Sequence, residues 1–94
     1  MSAKVANAKI NRIVFDDELQ CSSKVISVNL QLVYGVEVDV IVVREMLPTQ
    51  YQKEFDDFWI SAQKMGFENL EGKEVYYKHH TDHFYGFDTI EWVE

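Results

Sequence analysis

Ninety-four residues, 47% hydrophobic and 14% aromatic, suffice for one folded domain with a true core and exclude global disorder. Sixteen acids against nine bases leave a net charge of −7, a balance that repels nucleic acid and anionic membranes and attracts basic proteins. Cys21 is the single cysteine, which excludes an intrachain disulfide and any Cys-x-x-Cys zinc or redox motif.

The charge is uneven. Residues 1–12 carry Lys4, Lys9 and Arg12 with no acid, so sixteen acids face only six bases in the rest of the chain. The opening residues lack the apolar run of a secretory signal, and no stretch approaches membrane-spanning length. These features set the expectation of a cytoplasmic protein without membrane contact.

In chain order, residues 1–7 read as a flexible tail ahead of a single domain over 8–94. Residues 9–15 (KINRIVF) read as a first strand whose faces are mixed: Ile10, Arg12 and Val14 alternate with Asn11, Ile13 and Phe15. A polar connection follows, with turn formers Asp16, Asp17, Ser22 and Ser23. Strict alternation then places Val28, Leu30 and Leu32 opposite Ser27, Asn29 and Gln31, and Val36, Val38, Val40 and Val42 opposite Glu37 and Asp39. Period two with β-branched residues predicts two strands, each with one buried and one wet face, joined in a hairpin at Gly35. Beyond Asp39 the wet face turns apolar at Ile41 and Val43, so a cover is expected there, and a second copy of the chain is one candidate.

Pro48 and Thr49 open a helix, with Thr49 as the expected cap. Tyr51, Phe55, Phe58, Ala62 and Met65 share one arc at helical spacing, with Trp59 at its edge, and Gly66 ends the element. Lys53, Asp56, Asp57 and Lys64 surround Ile60 on the opposite face. After a loop at Gly72, EVYYKHH and FDTIEWVE read as two further strands flanking the turn TDHFYG. The predicted class is α+β: a small antiparallel sheet in the order β-β-β-α-β-β with one amphipathic helix on a face.

His79, His80, Asp82 and His83 fall within five residues, the one concentration of potential metal ligands or proton carriers. Adjacent strand residues point to opposite faces, so His79 and His80 do not converge on one ion, and the chain has no histidine elsewhere to complete a tetrahedral set with them. A small metal-dependent enzyme built on the 79–83 cluster is therefore an alternative reading, and no metal or cofactor is assigned. Cys21 with His83 has no local signature of nucleophilic catalysis.

The expectation that remains is a non-enzymatic acidic binding protein that docks carboxylates onto a basic, nucleic-acid-handling partner, without binding nucleic acid itself. Immunity, antirestriction and anti-CRISPR inhibitors share this profile of size and charge alone. The expected contacts are Asp16, Asp17 and Glu18, Asp56 and Asp57 on the helix, and Asp82, Tyr85, Asp88 and Glu91 near the end. A structural subunit acting as a homodimer or larger homo-oligomer through its sheet or helix surface is the remaining alternative.

Overall fold

A computed structural model describes residues 2–18, 23–81 and 85–93. Five strands, β1 (Ser2–Glu18), β2 (Ser23–Leu32), β3 (Glu37–Val43), β4 (Glu74–Thr81) and β5 (Gly86–Trp92), form one antiparallel sheet in the order β3-β2-β1-β4-β5. The helix α1 (Thr49–Met65) joins β3 to β4 and packs on the sheet, which is the α+β arrangement expected. Because every neighbouring pair is antiparallel, β3 and β5 run in the same direction, and these outer strands approach with Cα atoms within 8 Å.

Residues 2–7, expected as a flexible tail, are paired strand instead. Ser2 to Asn7 pair with β4, in register from Ser2 opposite Thr81 to Asn7 opposite Tyr76. Small and polar side chains suggested fraying, yet the backbone groups of this segment have an edge of β4 to bond, and pairing needs no apolar side chain. Likewise Asp16 and Asp17 lie in β1 opposite Val25 and Lys24, where a connection was expected.

The mixed face of the first strand has a mechanical explanation. The register of β1 against β2 shifts between Ile10 and Arg12, the mark of a β-bulge at Asn11. Ahead of the bulge Ala8 and Ile10 point inward; after it Ile13 and Phe15 do, opposite Val28 and Ile26. Asn11 and Arg12 consequently both face out.

The core gathers Ile10, Ile26, Leu30, Val40 and Val75, all at most 2% exposed, beneath Phe55, Phe58 and Trp59 of the helix. Phe15 stacks on Phe67 with ring centroids 4.5 Å apart and meets Trp59 edge-on at 5.0 Å. Phe58 lies flat on Trp92, 4.3 Å and 4° apart, and the Trp92 indole N–H donates to the Phe58 carbonyl at 3.3 Å. These contacts fix the helix against β1 and β5.

The helix ends differ in their fidelity to expectation. Gly66 has φ +91° and donates its N–H to the Ala62 and Gln63 carbonyls, the left-handed stop predicted. Thr49 does not cap the start: Pro48 takes the N-cap position, and the Gln52 side-chain amide reaches back to the Leu47 carbonyl at 3.2 Å. In the hairpin turn, Tyr34 and Gly35 both have positive φ, and Tyr34 is 97% exposed.

Truncating Phe58 to Ala removes a buried ring between Phe15 and Trp92 and is expected to cost about 3–5 kcal/mol in chemical denaturation. Tyr34→Gly relieves a left-handed backbone at no loss of packing and is expected to stabilise by up to ~1 kcal/mol in the same measurement.

Candidate functional site

Helical spacing sets Glu54, Asp57 and Ser61 on one stripe of α1, because residues three, four and seven apart share a face. That stripe runs beside β5 and forms with it a groove of about 250 Å³. Phe58, Ile90 and Trp92 make its apolar floor, and Glu54, Asp57 and Glu91 bring three carboxylates to its walls. Glu91 accepts a hydrogen bond from Lys78 at 2.7 Å, which raises the Lys78 pKa; the fields of Glu91 and Glu54 add to the shift. Asp57 is exposed and makes no hydrogen bond to a described residue. The groove thus joins an apolar floor to three acids, one of them bonded to a lysine outside the lining.

Of the carboxylates singled out in the sequence, only Asp57 and Glu91 meet here. Asp56, their immediate neighbour, is committed elsewhere: the Arg44 guanidinium donates to both of its oxygens, at 2.8 and 3.0 Å. That bidentate bond, opposed by partial burial, holds the Asp56 carboxyl below the usual carboxylate range. Asp57 points away because consecutive helix residues are 100° apart. The expected exposed pair on the helix is therefore a single free carboxylate.

Asp17 and Asp56 line a second, wider cavity of about 430 Å³, but Lys24 and Arg44 line it too, so its charges offset. Lys24 also sits 5.4 Å over the Trp59 ring. Asp16 is exposed on the opposite face of β1. The side chain of Glu18 and all of Asp82 lie outside the described residues. Tyr85 is exposed and 6.2 Å from Phe87, while Asp88 is held between His79 and Tyr77.

The two described histidines diverge as their adjacency requires. His79 Nδ1 lies 2.7 Å from Asp88 Oδ1, and the Tyr77 hydroxyl donates to the same oxygen at 3.0 Å. Burial, with the Asp88 bond as the second cause, pushes the Tyr77 phenol up to about 12. Gly86 leaves room for the His79 ring, since a Cβ there would come within 3.1 Å of it. His80 is 4% exposed, shares a hydrogen bond with Thr89 Oγ1 at 2.8 Å, and is stacked on Phe87 at 4.6 Å under Tyr51. Among the described residues no three His, Cys, Asp or Glu side chains come together as metal ligands. His83 and Cys21 are outside those residues.

A polar ladder crosses the outer face of β1, β2 and β3. The bulge residue Asn11 donates from Nδ2 to Asn29 Oδ1 at 2.9 Å and to Glu37 Oε1 at 3.2 Å. Asn29 donates in turn to Asp39 Oδ1 at 2.7 Å. Sequence reasoning missed this ladder because it depends on the bulge, and it missed Glu54, whose i, i+3, i+7 spacing with Asp57 and Ser61 was a readable signal.

Comparison of the chain with protein-family models, with curated proteins and with solved structures yields no match. Among the described residues no helix is long and apolar enough to cross a membrane.

Burial lowers the His80 pKa from its ordinary 6.5, with Lys78 and His79 acting in the same sense and Glu54 and Asp88 opposing. The unfolded chain then binds a proton that the folded one resists, so stability falls as pH drops below 6.5 toward the folded value. Thermal unfolding between about pH 7 and 5 is expected to show this decline in the native protein and a flatter profile in His80→Gln. Identical profiles would remove His80 as its source.

Proposed function

We propose that this chain is a non-enzymatic acidic binding module whose groove between α1 and β5 receives a basic side chain from a protein partner. The observation that carries the reading is the groove's composition. Glu54, Asp57 and Glu91 surround a floor of Phe58, Ile90 and Trp92, with Lys78 hydrogen-bonded to Glu91. A lysine or arginine entering there gains carboxylate partners for its head and an aromatic surface for its aliphatic stem. Aromatic anchors ringed by charge are the composition from which interface hot spots are built.

The overall charge of −7 favours fast, salt-sensitive association with a basic protein. Nucleic-acid-handling proteins are the partner class that suits this best, because carboxylates can occupy sites made for phosphates. An inhibitory role follows from such occupancy. Direct nucleic-acid binding is disfavoured by the overall negative charge.

The test is recovery of partners from host lysate at low and raised salt, using the native chain and a Glu54→Gln/Asp57→Lys variant. Both substitutions leave the Arg44–Asp56 bond untouched. A basic partner retained at low salt, released at high salt and bound at least ~10-fold more weakly by the variant is the expected result. Equal binding by the variant moves the interface away from the groove. Recovery of nucleic acid in place of protein sinks the reading.

A further inference from the structure

We infer that the outer face of β1, β2 and β3 is the interface of a two-fold dimer of this chain. The face lies on the other side of the sheet from the helix and is independent of the groove. Its strand registers define four rows. Lys9, Gln31 and Glu37 form the first, and Arg12, Asn29 and Asp39 the second. Val14, Ser27 and Ile41 form the third, and Asp16, Val25 and Val43 the last.

Two features of these rows need a cover. Val14 and Ile41 are 61% and 67% exposed at the ends of one row, with half-buried Val25 and Val43 beside them. A contiguous β-branched patch on a pleated surface is what sheet-on-sheet packing buries. In the other two rows charge is segregated by strand. The cations Lys9 and Arg12 are on β1 and the anions Glu37 and Asp39 on β3, at opposite margins of the face. No described residue forms an ion pair with either cation.

A second copy supplies the complement to both. A two-fold axis along β2 lays the β3 of one protomer over the β1 of its partner, in the aligned packing common to stacked sheets. Asp39 then faces Arg12 across the interface, Glu37 faces Lys9, and Ile41 covers Val14, each twice by symmetry. Ser27 and Asn29, on the central strand, meet their own copies. The carboxylates are already oriented: Asn29 holds Asp39, and Asn11 holds Glu37, so little ordering is needed when the partner arrives. The last row opposes Asp16 to Val43 and belongs at the wet rim. About a dozen positions on this face, against roughly 20–30 in a standard interface, indicate a dimer that dissociates on dilution into the micromolar range.

Sedimentation equilibrium of the full chain, from about 1 μM to 1 mM, tests this with charge swaps as the discriminating arm. The native chain is expected to pass reversibly from monomer to dimer. Asp39→Arg places like charges against Arg12 and is expected to weaken the dimer roughly tenfold or more, and Arg12→Asp likewise. Combining the two restores opposite charges and is expected to return the native constant to within about threefold. Glu37→Lys with Lys9→Glu supplies a second swap if an Asp39 variant fails to fold. A chain that stays monomeric at every concentration overturns the inference, as it would if another partner owned the face. A dimer indifferent to both swaps overturns it equally. Neither result touches the groove, whose variants lie on the opposite side of the sheet.

Discussion

Strand β1 must bond two neighbours that lie on opposite sides of it, and the rest of the molecule is arranged around how it does so. Its N-terminal half pairs with β4 and its C-terminal half with β2, with Ala8 and Lys9 shared between the two ladders. A flat strand pairing this way would leave two half-sheets and two exposed outer edges. The bulge at Asn11 adds bend and twist at the crossover, so the sheet coils until β3 and β5 approach. The same bulge turns Ile13 and Phe15 inward, and Phe15 is the ring on which Phe58, Trp59 and Phe67 converge. Helix docking therefore depends on a one-residue irregularity eleven positions into the chain.

The coil also separates the chemistry into two surfaces. On the helix side, one of two adjacent acids is spent on an ion pair with Arg44, and the other is free beside the groove. On the outer side, amide side chains of Asn11 and Asn29 tether the carboxylates of β3 across three strands. A net charge figure conceals this division. Acidity at Asp56 serves internal structure, whereas acidity at Asp57, Glu54 and Glu91 faces a cavity.

How much of this was legible in the sequence follows from how local each cause is. Val28, Leu30, Val40 and Val42 alternate so strictly that the central hairpin could be read from period alone, and all four are buried. The helix was equally plain, because Phe55, Phe58 and Ala62 share an arc and Gly66 has only one common use after it. The N-terminal strand was not legible: Ala3, Lys4, Ala6 and Asn7 carry no β signal, and their pairing is decided by an edge of β4 some seventy residues away. The bulge left a trace, the mixed alternation of residues 10–15, without saying how the trace should be resolved. Asp56 looked like Asp57 because nothing local to a helix reveals an arginine approaching from the end of another strand. The divergence of His79 and His80 was legible, since opposite faces for adjacent strand residues is a rule of backbone geometry, whereas the burial of His80 was not.

The pairing of Ser2 with Thr81 has a consequence for biosynthesis. A ribosome delivers β1 first, and its C-terminal half finds β2 and then β3 as soon as they emerge. The N-terminal half has no partner until β4 has been made, an interval of several seconds at about 5–20 residues per second. For that time it is an open ladder edge attached to a partly formed sheet, the situation in which nascent chains associate with one another. Lys4 and Lys9, with Arg12 just beyond, are spaced along the waiting segment, and no acid accompanies them. Their mutual repulsion between neighbouring nascent chains guards the edge until β4 closes it.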